Sequence, residues 1–229
     1  MSDFNPKSKY PLPSSVERNT FKVQQTARWF KIGASPSEAD HVVIVLHGYG
    51  QHPAFMLDGF MDLINDPDIS ICAPEALSRF YVRGTEGRVG ASWMTRDDRL
   101  SDISDHLAYL NSWLNSLSIS PKAQLTLIGF SQGVATAGRW LASGLNIHQA
   151  LLHSGTVPVE WYSTDTTEAP QFSKSIERFV LFRGDSDSIY SEENHTQAAT
   201  FLKDCGYIVE TVEYEGGHKM LATHFAPYL

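Results

Sequence analysis

Cysteine is scarce in this chain. Only Cys72 and Cys205 occur, far apart and with no second Cys or His at metal-ligand spacing, so neither a disulfide framework nor a zinc site is expected. Both read as small core residues, and Cys72 sits within the apolar run Ile69, Ile71, Cys72, Ala73. Positive charge is also short. Lys and Arg number 18 against 26 Asp and Glu, a formal net charge of -8, which leaves no basic footprint for nucleic acid or anionic lipid. Long apolar runs are missing: no stretch approaches the roughly 20 residues of a membrane-spanning helix. Residues 1–13 are polar and contain proline rather than a basic start followed by an apolar run. A cytoplasmic protein is the expectation, with residues 1–15 a loose N-terminal segment.

What is present is a core. With 229 residues and 42% hydrophobic content, the chain can bury one sizeable interior, and no repeat, low-complexity tract or linker divides it; a single domain over residues 1–229 is expected. Residues 41–46 (His, Val, Val, Ile, Val, Leu) form a continuous β-branched run, the composition of a strand buried on both faces of a parallel sheet. Further strands are predicted at 69–73, 124–130, 149–153, 178–182 and 207–214, and an antiparallel edge strand or hairpin arm at 21–31. Helices are predicted at 53–64, 102–117, 133–143 and 192–203, with a short one closing the chain. This alternation argues for an α/β fold, a mostly parallel central sheet covered by helices on both faces. Residues 74–99 and 154–174 are too long for simple connections and follow strand C-terminal ends, so they are the candidate pocket walls.

The strongest chemical signal is Gly129, Phe130, Ser131, Gln132, Gly133, a G-x-S-x-G nucleophile elbow. The strand Leu125 to Ile128 leads in and a helix of small residues leads out, so Ser131 would sit exposed on a strained turn at a helix N-terminus. A hydroxyl needs a base, and in this arrangement the order along the chain is Ser, then acid, then His. Of the histidines after Ser131, only His218 lies in a loop directly after a late strand, flanked by Gly216 and Gly217. His153 reads as a structural residue ending an apolar strand; His195 and His224 read as solvated or capping side chains within helices. Two carboxylates, Asp185 and Asp187, compete as the orienting acid after strand 178–182. A wider turn would let Asp187 fold back toward the histidine, leaving Asp185 to brace the loop through its own backbone amides, but the choice between them rests largely on a family resemblance. The backbone amides of Gln132 and Tyr49 are the candidate oxyanion donors, with His47 fixing the conformation of the 47–50 turn.

These motifs, taken in order, resemble the phospholipase/carboxylesterase branch of the α/β-hydrolases, which includes the acyl-protein thioesterases. The resemblance spans nearly the full length and rests on Gly-Phe-Ser-Gln-Gly, the His-Gly-x-Gly turn at 47–50 and the Gly-Asp-x-Asp loop at 184–187. It implies Ser131, Asp187 and His218 as a catalytic triad, the Tyr49 and Gln132 amides as the oxyanion hole, and Trp93 as a substrate-binding aromatic beside the acyl site. No cofactor and no metal are implied. The chain departs from the family pattern at Met94, Thr95, Arg96 and at Ser188, Ile189, Tyr190. It also carries Arg83, Arg88, Arg96 and Arg99 in one stretch. Those arginines read either as a solvated loop paired with Asp97 and Asp98, or as recognition of an anionic substrate.

The expected function is a serine carboxylesterase acting on small to medium acyl esters. Acyl-protein thioesterase or lysophospholipase is the near alternative, and a non-catalytic binding protein on the same scaffold the distant one. A small-molecule ester or thioester is the expected partner. The resemblance leaves room for a homodimer, though no residue pattern points to one.

Overall fold

The computed structural model of the chain describes residues 13–63, 66–162, 170 and 172–229. Most of the expected loose N-terminus and part of the 154–174 stretch therefore lie outside the described residues. The strands are β1 (Trp29–Gly33), β2 (His41–Leu46), β3 (Ile69–Pro74), β4 (Ser78–Tyr81), β5 (Val89–Ser92), β6 (Gln124–Phe130), β7 (Gln149–His153), β8 (Arg178–Gly184) and β9 (Val209–Tyr214). The helices are α1 (Pro53–Leu57), α2 (Arg99–Ser116), α3 (Gln132–Ala142) and α4 (Glu192–Asp204). Seven strands make one sheet in the order β1-β3-β2-β6-β7-β8-β9, parallel except for the antiparallel edge pairing of β1 with β3.

Alternation along the buried strands divides the core into two layers. Val42, Ile44 and Leu46 of β2 pack with Leu127, Ala150, Leu152 and Phe179 beneath α2, α3 and α4, which contribute Leu110, Trp113, Val134, Trp140 and Leu202. On the opposite face, Val43 and Val45 join Ile128, Leu151, Val180 and Phe182, covered by Met56 and Leu57 of α1 and by Phe225. Both faces are closed, but unequally. Among the described residues, three long helices cover one; the other has the five-residue α1 and short 3₁₀ turns at Asp58–Leu63, Ala222–His224 and Ala226–Tyr228.

Several sequence expectations need correction. The expected 53–64 helix ends at Leu57 and tightens into a 3₁₀ turn at Asp58 and Gly59, both poor helix formers. The closing helix is likewise two 3₁₀ turns, the second containing Pro227. Residues 21–28 are not strand: Phe21 and Val23 are 87% and 71% exposed, and ladder pairing starts only at Trp29. Residues 74–99 are not one long loop, because β4 and β5 pair antiparallel within them. Neither strand exceeds four residues, and the turn between them is rich in glycine and charge, so the alternating signal was short. None of the four arginines pairs with Asp97 or Asp98 among the described residues. Arg99 bonds Glu160, and Asp98 is taken by Arg18. Cys72 is buried, and burial pushes its thiol up to about 11; Cys205 is half-buried at the end of α4.

The interior holds neutral histidines. His47 and His153 are both 0% exposed, and burial lowers them to about 4 and about 3. A native state that refuses these protons is fully stabilised above the unfolded value of 6.5 and loses stability as pH falls below it. Each buried histidine costs about 1.4 kcal/mol per pH unit in that window. Urea unfolding midpoints should therefore fall steadily from about pH 6.5 to about pH 4.5, and His153→Phe should flatten the slope; a midpoint constant across the window would contradict the assignment.

Candidate active site

The site forms where the sheet order reverses. The chain passes from β2 outward to β3 and then returns to lay β6 on the other side of β2, so the loops after β2 and β6 diverge and leave a crevice at the strands' C-terminal ends. The 47–50 turn leaves β2 there and Ser131 leaves β6. Ser131 carries φ 53° and ψ -117°, a left-handed backbone for a residue with a side chain, and such strain persists only where the surroundings over-determine it. Gly133 is the surrounding constraint: a Cβ there would lie 2.2 Å from the Leu46 carbonyl oxygen, so α3 can start this close to β2 only on glycine. The β2 turn is equally near, since a Cβ on Gly48 would meet the Ser131 Cβ at 3.1 Å.

The structure brings Ser131, His218 and Asp187 into one hydrogen-bonded chain. His218 Nε2 lies 2.9 Å from Ser131 Oγ, and His218 Nδ1 lies 2.9 Å from Asp187 Oδ2. An ionised carboxylate can only accept, so Nδ1 carries the proton and Nε2 offers its lone pair to the serine hydroxyl. The Asp187 side chain is fully buried while the His218 ring is 17% exposed. Burial pushes the Asp187 carboxyl up, but N–H donors at Tyr190 and Ile189, both 2.9 Å from Oδ1, together with His218 outweigh it and hold the group below its ordinary value. Asp185 is exposed and does something else. Its carboxylate accepts from the Gly216 amide at 3.0 Å, bracing the histidine loop as well as its own turn, where Ser186 also bonds it.

The Tyr49 and Gln132 amides have no acceptor among the described residues, although their neighbours do. The Gly48 amide is taken by Gln51 Oε1 at 2.7 Å and the Gly50 amide by the Ala91 carbonyl at 2.9 Å. His47 holds the same turn, with Nδ1 donating to the Gly48 carbonyl at 2.8 Å and Nε2 accepting from the Ala76 amide at 3.1 Å. Trp93 is 1% exposed. Its indole N–H donates to the His47 carbonyl at 2.8 Å and its amide to Gln132 Oε1 at 3.0 Å, so it ties the β2 turn to the start of α3 from below.

Three further features were invisible in the sequence. Tyr214, at the end of β9, places its hydroxyl 3.1 Å from the carbonyls of both Gly217 and Lys219, on either side of His218, and 3.2 Å from Ser154 Oγ. Burial raises the phenol above its ordinary value, which keeps the hydroxyl a donor. The Gln132 side chain pins the end of β5 by donating to the Met94 carbonyl at 2.9 Å. His224 is not a solvated cap: its Nδ1 meets Nε2 of the buried His153 at 2.9 Å, and its ring lies 4.0 Å from that of Tyr214. His195 is only 9% exposed, against Tyr190. The bonds of Tyr214 to Ser154, of Gln132 to Met94 and of His224 to His153 join residues distant in sequence, which no local pattern records.

The family model of the phospholipase/carboxylesterases matches residues 28–226. The chain belongs to the phospholipase/carboxylesterase family. Among solved structures it is similar to esterase PE8, at 22% identity and TM-score 0.69, over 89% of this chain and 96% of that one. Acyl-protein thioesterase 2 of Zea mays aligns at 19% identity and TM-score 0.67, over 88% of this chain and 96% of that one. The Bacillus cereus carboxylesterase aligns at 17% identity and TM-score 0.61, over 86% and 89%. These likenesses show the α/β-hydrolase fold that the family shares. No curated protein matches the chain in sequence. Among the described residues of this hydrolase-family chain, no helix is long and apolar enough to cross a membrane.

Because the Tyr214 hydroxyl holds the histidine loop at two points, Tyr214→Phe should lower kcat on an activated ester about three- to tenfold, with KM nearly unchanged. Initial-rate kinetics read this directly. An unchanged kcat would show that the loop keeps its place without the hydroxyl.

Proposed function

We propose that the chain is a serine carboxylesterase that hydrolyses small to medium acyl esters through an acyl-enzyme on Ser131. The observation that carries the reading is the unbroken hydrogen-bonded chain from buried Asp187 through His218 to a strained, half-exposed Ser131. On this reading His218 Nε2 takes the serine proton as Oγ attacks the carbonyl carbon. The Tyr49 and Gln132 amides receive the developing oxyanion, aided by the N-terminus of α3. His218 then returns its proton to the leaving alcohol. Water attacks the acyl-enzyme with His218 again as base, releasing the acid and restoring Ser131. Asp187, held ionised, keeps Nδ1 protonated and stabilises the imidazolium formed at each step.

The preference for shorter acyl groups is supported by the filling around Trp93. Its ring is covered, and the cavity beside it, against Met94, Ile103 and Leu107, is about 10 Å³. That is room for about one water. Trp93 then acts as the floor of the site rather than as one wall of an acyl tunnel.

A fluorophosphonate probe tests the nucleophile. Wild type should label and Ser131→Ala should not; equal labelling would end the proposal. His218→Ala should lower kcat by about four or more orders of magnitude. Asp187→Ala should cost far more activity than Asp185→Ala, since only Asp187 contacts the imidazole; the reverse ranking would move the acid to Asp185.

The substrate class is read from initial rates on p-nitrophenyl esters of increasing chain length beside acyl thioesters and lysophospholipids. Rates should peak at short to medium esters. A peak on long-chain thioesters or lysophospholipids would favour the thioesterase or lysophospholipase alternative, and a flat zero with no probe labelling would favour a binding protein on a hydrolase scaffold.

A further inference from the structure

A groove of about 820 Å³ opens beside the β4–β5 hairpin, lined by Phe55, Phe80, Tyr81, His52 and the three arginines Arg28, Arg79 and Arg88. Its charge is out of keeping with a chain whose formal net charge is -8. The carboxylate behind these cations, Glu75, is 1% exposed and engaged by Arg28 through two hydrogen bonds of 2.7 Å. Arg79 stands 3.6 Å and His52 3.8 Å from the same carboxylate, beyond hydrogen-bond reach. Arg88 has no carboxylate partner among the described residues. One anion against three cations leaves a surplus of about two positive charges, set among aromatic rings.

One wall of the groove packs against the 47–50 turn. The Tyr49 ring packs on Phe80 with centroids 5.2 Å apart, and a Cβ on Gly50 would touch Phe80 and Val82. Gly50 and Gln51 pair with Ala91 of β5, so the hairpin wall and the turn carrying the Tyr49 amide form one unit. The geometry points to this groove as a subsite for a carboxylate or phosphate carried on an apolar body, the anion held by Arg79 and Arg88 and the apolar part lying on Phe55, Phe80 and Tyr81. Arginine suits the task because its planar donors match either oxyanion. Resting on the reading of Ser131 as nucleophile, the inference narrows the substrate to an acyl ester with an anionic group away from the scissile bond.

Two measurements test the subsite, the first without turnover. Calorimetric titration of the wild-type protein with hexyl phosphate, hexanoate and hexanol should show binding of at least one anion and not of the alcohol. Phosphate alone, carboxylate alone or both would identify the source of the charge. The Arg79→Ala, Arg88→Ala double variant should weaken anion binding at least about tenfold, while Arg79→Lys, Arg88→Lys should retain part of it. Glu75 keeps Arg28 in each variant, so no buried carboxylate is stranded. Equal binding of hexanol and the anions, or undiminished binding in the alanine variant, overturns the subsite.

The second compares the mono-p-nitrophenyl ester of adipate with p-nitrophenyl hexanoate. The anionic ester should have the lower KM, and its advantage should fall about tenfold in the alanine variant. An advantage unchanged in that variant overturns the subsite. Anion binding without hydrolysis of either ester or labelling of Ser131 would overturn the serine reading and leave the groove standing.

Discussion

Everything at the candidate site depends on how closely the ends of β2 and β6 approach one another. Gly133 allows α3 to begin against the Leu46 carbonyl, and Gly48 allows the β2 turn to reach the Ser131 side chain. With a larger residue at Gly133 the start of the helix or the end of β2 would have to retreat, and at Gly48 the neighbouring side chains, Ser131 among them, would have to give by a few tenths of an ångström. That retreat would separate Ser131 from the turn bearing the Tyr49 amide. The unfavourable backbone of Ser131 belongs to the same constraint: the Ser131 amide donates to the His153 carbonyl at 3.0 Å, and the Val134 amide donates back to the Ser131 carbonyl at 3.0 Å. Hydrogen bonds on both sides lock the turn, so the strain is borne by the sheet and not relieved locally.

Around that junction, His47, Trp93 and Asp187 are buried with hydrogen-bond partners drawn both from their own loops and from other elements. His47 is satisfied by Gly48 and Ala76, Trp93 by His47 and Gln132, and Asp187 by three donors from two loops. The arrangement separates two kinds of histidine. His47 and His153 lie in the core, where burial keeps them neutral, whereas His218 keeps one edge of its ring toward solvent and one nitrogen on a carboxylate. Only the latter combination suits the base of the proposed mechanism, which would gain and lose a proton in each half-reaction.

Legibility in the sequence followed the locality of the signal. The continuous apolar run of β2 and the strand, turn, helix pattern around Ser131 are local, and the structure has both where the residues predicted them. Chain order with the glycines before His218, joined by the family resemblance that favoured Asp187 over Asp185, singled out residues that the fold brings within 3 Å of one another. What escaped was short or non-local. The β4–β5 hairpin has four residues per strand, too few for a period to register. The bond from His153 to His224 joins residues 71 apart in the chain, and the bonds from Tyr214 to the Gly217 and Lys219 carbonyls, though near in sequence, lie within an irregular loop that has no period to read. Arg83, Arg88, Arg96 and Arg99 were misread as a group because adjacency in sequence suggested adjacency in space; only Arg88 of the four lines the groove, joined there by Arg28 and Arg79.

That hairpin is where chemistry and selectivity become hard to separate. One of its strands pairs through Ala91 with Gly50 and Gln51; its far end is pinned by the Gln132 side chain at Met94; and its outer ring, Phe80, supports Tyr49. Both proposed oxyanion donors are thus attached to the same small sheet, one through its turn and one through its side chain. A ligand pressing on Phe80 and Arg88 would bear on the element that spaces those two amides. Oxyanion donors are effective only within a few tenths of an ångström of the right position. Occupation of the groove can therefore alter kcat as well as KM, because the wall that would recognise an anion is also the wall that holds the oxyanion turn in place.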